Sequence, residues 1–251
     1  MEEKFAFGKD ADLQELLETG PCTMAFQPIL EIPSGKVHGF EALLRGSNGT
    51  SFPAPDRFFN WPGYLENEVL LRLDTACVGS ALRSGRDLAK KHRLFINIHF
   101  HTLRHLSDHI PSFVRLLDRL DISPSHIVFE LSEETDPSVF ADVEHYLVGF
   151  IELGVEVAID DIDGSFDWVH HMLAAKPSYL KVDRSLIHDI DVSRKKHALV
   201  KSLNTMSTAV GLHLIAEGIE HEGQVKAMRE IGVVFAQGFW YGRPSEAKAW
   251  L

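Results

Sequence analysis

A carboxylate, an amide or an ammonium closes nearly every short apolar run of this chain: Glu41, Asn97, Glu130, Asp160 with Asp161, Lys181, Glu217 and Gln237. Carboxylates joined by an amide form a hard oxygen shell, which suits Mg²⁺ or Mn²⁺ and not zinc, whose preference is histidine and cysteine. Asp160-Asp161 is the most informative fragment. Consecutive side chains on a strand point to opposite faces, so this pair can serve two metals only where the backbone is already turning, with one carboxylate shared. Two ions would then clamp a phosphate, and Lys181 on a neighbouring strand would steady the developing negative charge. Taken singly, each residue has a plainer role. Glu41 and Glu130 would accept backbone hydrogen bonds, Asp160-Asp161 would form a turn or a helix cap, and Lys181 would be a solvated or ion-paired lysine. Asn97 and Gln237 would satisfy buried backbone. Joint placement at successive strand ends gives the metal-site reading its weight.

The elements that must position these groups are short and regular. Runs rich in β-branched and aromatic residues occur at TMAFQPIL, KVHGFEALLR, LFINIHF, HIVFELS, VEVAIDD, YLKVD, LHLIAE and VFAQGF. Helical spacing of apolar residues separates most of them, over Tyr64 to Leu82, Val139 to Ile151, His197 to Val210 and Gln224 to Ile231. An opening hairpin turns at Ser34-Gly35. Alternating β and α units with eight strand candidates suit a (β/α) barrel better than an open doubly wound sheet, and no glycine fingerprint for a dinucleotide or P-loop intervenes. In a barrel the C-terminal strand ends share one face, where residues distant in sequence converge.

The chain has 251 residues, 45% of them hydrophobic, and no linker-like tract, so one continuous domain over residues 1–251 is expected. Its 25 Lys and Arg against 36 Asp and Glu give a formal charge of -11, which disfavours duplex nucleic acid as a partner. A phosphate substrate is still compatible if metals neutralise the local carboxylates first. No apolar run approaches a membrane span, and the opening MEEKFAFGKD is acidic where a secretory signal would be basic, so a cytoplasmic location is expected. Cys22 and Cys77 read as reduced thiols.

FQPILEIPSGKVHGFEALLR, with Glu41-Ala42-Leu43 at its heart, resembles the EAL domain, the phosphodiesterase module that hydrolyses the bacterial second messenger cyclic di-GMP. The resemblance continues through FINIH, VFELSEE, VAIDD, LKVDRSLI, IAEGIEH and AQGFWYGRP, roughly residues 20 to 245. It implies a modified triose-phosphate-isomerase α/β barrel with one antiparallel strand. Glu41, Asn97, Glu130 and Asp160 would hold one metal, and Asp160, Asp161 and Glu217 the second, with Mg²⁺ or Mn²⁺ as cofactor. Lys181, Glu41 and Glu217 would carry the chemistry. Arg45 would grip a substrate phosphate, and Gln27, Leu43, Asp183, Glu220 and Gln237 would complete substrate binding. Glu133 resembles the residue that anchors the loop after the aspartate pair. A homodimer and fused sensor domains outside this chain are further implications. Guanine contacts are not assigned, because the aromatics near the motifs are equally good core residues.

Two departures from the family stand out. Its usual Asp-Asp-Phe-Gly-Thr-Gly-Tyr-Ser-Ser is here Asp160-Asp161-Ile162-Asp163-Gly164-Ser165-Phe166-Asp167-Trp168. Asp163 thus stands at a family glycine, where a positive φ is expected, and Phe166 and Trp168 would supply dimer contacts or pack within the monomer. His99 replaces a common serine. By strand parity His99 and His101 would share a face with Asn97, although a packed or solvated histidine is the plainer reading, as it is for His170-His171 on a helix surface. The reading is a metal-dependent phosphodiesterase that linearises cyclic di-GMP to pGpG. Water would attack phosphorus in line, with the metals and Lys181 favouring hydroxide, while the 3′ oxygen leaves. Its rivals are a degenerate EAL module that binds the dinucleotide or a protein partner without turnover, and a barrel enzyme acting on another phosphate ester.

Overall fold

The computed structural model of the chain describes residues 22–47, 67–132, 142–163 and 175–251. Eight strands close into a barrel in chain order. They are β1 (Cys22–Glu31), β2 (Val37–Ser47), β3 (Arg93–Asn97), β4 (Ile127–Ser132), β5 (Glu156–Ile162), β6 (Tyr179–Val182), β7 (His213–Ala216) and β8 (Phe235–Gln237). Every strand expected from the sequence is present. β1 runs antiparallel to both neighbours, pairing Gln27 with Glu41 on β2 and Ile29 with Gln237 on β8, and the remaining pairs are parallel. The hairpin at Ser34-Gly35 sets up that reversal: Gly35 adopts φ 68°, and its N–H donates to the Glu31 carbonyl at 2.8 Å.

The helices are α1 (Asn67–Ser84), α2 (Arg86–Ala89), α3 (Phe100–Ser107), α4 (Ile110–Leu120), α5 (Val143–Glu152), α6 (Arg184–Ile187), α7 (Arg194–Ala209) and α8 (Glu222–Ile231). The four helical patterns of the sequence correspond to α1, α5, α7 and α8. The run LFINIHF is not one strand. β3 stops at Asn97, and His99 caps α3 with φ −76° and ψ 147°. The buried Asp74 of α1 accepts the His99 N–H at 2.8 Å, so a side chain from an earlier helix ends the strand. His99 and His101 therefore do not extend the strand face of Asn97; the His99 ring accepts the His101 N–H at 3.3 Å instead. Nor does any described helix have the length and apolarity to cross a membrane.

The main core lies between the strands and the helices. A second, smaller cluster fills the barrel floor: Ile29, Phe95, Val128, Ala158, Tyr179, Ile215 and Phe235. Gly39 completes this layer by omission, since a Cβ there would sit 2.7 Å from the Phe95 ring and 2.8 Å from the Arg93 carbonyl. Alternate residues of a strand face the same side, so the residue two places toward the C-terminal face shares the interior. Stepping two residues up each strand, and two back on the reversed β1, reaches Gln27, Glu41, Asn97, Glu130, Asp160, Lys181, Glu217 and Gln237. The apolar floor and the polar layer are thus successive storeys of one interior. A segment from β8 then straps β1 from outside: Phe26 exchanges backbone hydrogen bonds with Ser245 at 2.7 and 3.1 Å, and Trp250 Nε1 donates to the Phe26 carbonyl at 2.9 Å.

Candidate active site

Lys181 stands at the centre of the polar layer, with its side chain fully buried. Its Nζ lies 2.7 Å from Glu130, 2.8 Å from Glu217, 3.0 Å from Asp160 and 3.5 Å from Glu41. Burial works against the ammonium, but Asp160, Glu130, Glu217 and Glu41 outweigh it and hold its pKa well above the ordinary lysine value. Burial also raises Glu130, Glu217 and Asp160; Lys181 opposes this, while neighbouring carboxylates add to it. Asp161 is raised to about 6 by burial and by the charge of Asp160.

The amides orient the acids. Asn97 Nδ2 donates to Glu130 at 3.1 Å and to Glu41 at 3.3 Å. Gln237 Nε2 donates to Glu41 and, at 3.0 Å, to Gln27, whose own Nε2 reaches the Gly242 carbonyl at 3.0 Å. At the end of β5 the ladder to β6 slips between Ile159 and Ile162, and Asp161 takes φ 63°. The backbone turns where the adjacent aspartates need it to. Asp161, rather than Asp163, is the left-handed residue there, which corrects the expectation from the family glycine. The result is two carboxylate triads, Glu41-Glu130-Asp160 and Asp160-Asp161-Glu217, each offering oxygens within 4.8 Å of one another and sharing Asp160. No histidine or cysteine enters either triad, so the donors are hard oxygens suited to Mg²⁺ or Mn²⁺.

A cavity of about 280 Å³ opens above this layer, bordered by Gln27, Glu41, Leu43, Asp160, Asp161, Glu217, Glu220 and Gln237 among others. Five described residues expected at the site lie elsewhere or deeper. Asn97, Glu130 and Lys181 are not part of the cavity wall; they support it. Arg45 is exposed and donates to the Leu44 carbonyl at 2.9 Å, away from the wall. Asp183 caps α6 by accepting the Ser185 N–H at 2.8 Å. Glu133, Phe166, Asp167, Trp168 and the His170-His171 pair lie outside the described residues.

Sequence reasoning missed Arg184 and Phe239, which also line the cavity. Arg184 pairs with Glu220 at 2.8 Å. Room for it comes from Gly218, at φ 70°, where a Cβ would approach the Arg184 Cγ to 2.5 Å. The Asp-Arg step after YLKV and the Glu-Gly step after LIA were the available signal, legible only once β6 and β7 are known to be neighbours.

An eight-stranded α/β barrel with a reversed first strand and a lysine-centred carboxylate layer at its C-terminal face defines a class of barrel proteins with an acidic cleft. The family model described as EAL domain matches residues 10–244, and the chain belongs to that family. Cyclic di-GMP phosphodiesterase NbdA of Pseudomonas aeruginosa is 27% identical over 241 residues, 94% of this chain and 30% of that protein. Cyclic di-GMP phosphodiesterase RocR of the same organism is 25% identical over 246 residues, 96% of this chain and 62% of its own. The chain spans 34%, 30% and 35% of three of the curated relatives it matches, about a third of their length. Among solved structures, Klebsiella pneumoniae BlrP1 in its manganese and cyclic di-GMP complex superposes with a TM-score of 0.80 at 27% identity, over 91% of this chain and 57% of that one. A standalone EAL protein of Vibrio cholerae O395 shares the fold, with a TM-score of 0.79 at 22% identity over 91% of this chain and 94% of that one.

Proposed function

We propose that the protein is a metal-dependent phosphodiesterase that hydrolyses cyclic di-GMP to linear pGpG. The observation that carries this reading is the pair of carboxylate triads sharing Asp160 around Lys181, beneath an open cavity. Glu41, Asn97, Glu130 and Asp160 would hold one divalent cation, and Asp160, Asp161 and Glu217 a second. When bound, such ions supply the positive charge that polarises water and a phosphate oxygen. Lys181, held as an ammonium, presents a fixed positive charge to the phosphate as negative charge builds on it. Gln237 and Asn97 keep the Glu41 carboxylate aimed. Arg45 reaches a substrate phosphate once its guanidinium leaves the Leu44 carbonyl, and Arg184 offers a second cation at the cavity wall. The relatives named as cyclic di-GMP phosphodiesterases and the BlrP1 complex support the same substrate.

A binding module without turnover is the second reading, favoured by the departure of the sequence after Asp161 from the family pattern. One assay separates the two. Incubated with cyclic di-GMP and Mg²⁺ or Mn²⁺, the protein should yield pGpG by chromatography, and excess chelator should abolish the product until metal is restored. Binding with no pGpG under any metal would leave the second reading standing.

A further inference from the structure

The chain contains only two cysteines, and the fold brings both together, outside the carboxylate triads and the cavity wall. Cys22 opens β1 and is half-buried, Cys77 lies buried on α1, and their sulfurs are 3.5 Å apart as free thiols. They are distant in sequence, so only the packing of α1 on β1 unites them. We propose that Cys22 and Cys77 form a peroxide-reactive dithiol, with Cys22 the attacking thiol and Cys77 the resolving one, that closes reversibly to an intramolecular disulfide.

The surroundings distinguish the two sulfurs. Asp74, Cys77, Ser80 and Arg83 follow one another at three-residue spacing on α1, so successive members are neighbours on the helix surface, and Arg83 donates to Ser80 at 2.9 Å. The Cys77 S–H, then the Arg83 charge and the Ser80 hydroxyl, hold the Cys22 thiol below its ordinary pKa against the opposing effects of burial and Asp74. Cys77 is pushed strongly upward, first by its hydrogen bond to Cys22 and then by burial and by the charges of Cys22 and Asp74. A half-exposed, acidified thiol beside a buried partner is the arrangement expected of a reactive cysteine with a resolving neighbour.

The chemistry balances with a hydroperoxide as oxidant. The Cys22 thiolate attacks one peroxide oxygen, the O–O bond breaks, and hydroxide leaves and is protonated to water. Cys22 becomes a sulfenic acid. That step removes the thiolate to which Cys77 was bonded, and with it the largest influence keeping Cys77 protonated. The Cys77 sulfur then attacks the sulfenic sulfur, forming the S–S bond as the S–O bond breaks and the Cys77 proton leaves with hydroxide as water. Two thiols and one hydrogen peroxide thus give one disulfide and two waters. From 3.5 Å the sulfurs need to close to about 2.05 Å, a movement within reach of side-chain rotation.

Intact-mass and peptide mapping of the full chain test this without any nucleotide. Hydrogen peroxide should remove two hydrogens from the reduced protein and link the Cys22 and Cys77 peptides, and dithiothreitol should reverse both changes. The oxidised form should melt several degrees higher, because the bond closes a long loop. In Cys77→Ala, dimedone should trap Cys22 as its sulfenic acid, whereas in Cys22→Ala it should leave Cys77 unlabelled. If either variant fails to fold, the wild-type mapping still decides. Labelling on Cys77 instead of Cys22, a linkage only between copies, no reaction in excess peroxide, or a bond already closed and resistant to dithiothreitol would each overturn the proposal.

Discussion

Two polar groupings cross the same barrel and follow opposite rules. Near the N-terminal ends of the strands, Arg93 pairs with Glu156, Tyr179 donates to Glu156 at 3.3 Å, and His38 Nε2 meets the Tyr179 hydroxyl at 3.1 Å. One cation faces one anion, and the His38 ring packs against Phe235 with centroids 4.0 Å apart. At the C-terminal ends, four carboxylates crowd one ammonium and Asp161 adds a fifth acid beside them. The lower grouping is complete in itself, as buried polar groups in a scaffold must be. The upper one sets five acids against one ammonium, a surplus that raises the pKa values of Glu130, Glu217, Asp160 and Asp161 and that bound protons or cations would relieve. Polarity buried for architecture closes its own account; polarity buried for chemistry leaves it open.

Asp160→Asn should break the upper grouping most severely. This residue belongs to both triads, so turnover of cyclic di-GMP should fall by roughly a thousandfold or more, while the melting temperature measured without metal stays level or rises as one repelling charge is removed. A variant with near-native turnover would show that the shared carboxylate is not a metal ligand. Lys181→Met sharpens the contrast by removing the ammonium that lies among the four acids. Turnover should drop about a hundredfold. The metal-free protein should lose about 3 kcal/mol of stability in urea titrations, with Mg²⁺ restoring much of it. Equal destabilisation with and without Mg²⁺ would place the lysine outside the charge balance.

The lower grouping should respond in stability alone. Burial first, then Arg93, His213 and His92, hold the His38 pKa at about 4, against an ordinary value of 6.5. Between those values the unfolded chain takes up a proton that the folded protein refuses, so stability is complete above about pH 6.5 and declines as the pH falls toward 4. The loss should be on the order of 3 kcal/mol, and urea titrations of His38→Leu should show a shallower decline over the same range. An identical slope would remove His38 from the balance. The smallest effect is expected from Tyr179→Phe, which should cost about 1 kcal/mol while leaving kcat within about twofold. A large fall in kcat would mean that the two storeys are coupled.

Much of this arrangement was legible in the sequence because interior strand positions alternate strictly. The storey of Phe95, Val128, Ala158 and Tyr179 lies two residues below Asn97, Glu130, Asp160 and Lys181, so apolar run and polar ending are one periodic signal. What escaped detection depended on contacts from elsewhere. Asp74 ends the LFINIHF strand from an earlier helix, Gly218 opens the space that Arg184 occupies, and the β5 irregularity assigns the left-handed turn to Asp161. The helix α4 is a different case. Ile110, Phe113, Leu116, Leu117 and Leu120 have helical spacing in the sequence itself, and the structure buries Phe113, Leu116 and Leu117.

The reversal of β1 also decides where the chain arrives. In a barrel of uniformly parallel strands the first strand begins at the floor, remote from the working face. Here Cys22 stands opposite Ser47, beyond the pairing of Gln27 with Glu41, so β1 begins on the side of the cleft and runs toward the floor. The strap on Phe26 grips the same strand one residue from Gln27. Five peptide bonds separate Cys22 from Gln27, and a single hydrogen bond of 3.0 Å joins Gln27 to Gln237. One inverted strand thus ties the opening residues of the barrel to the rim of its cleft.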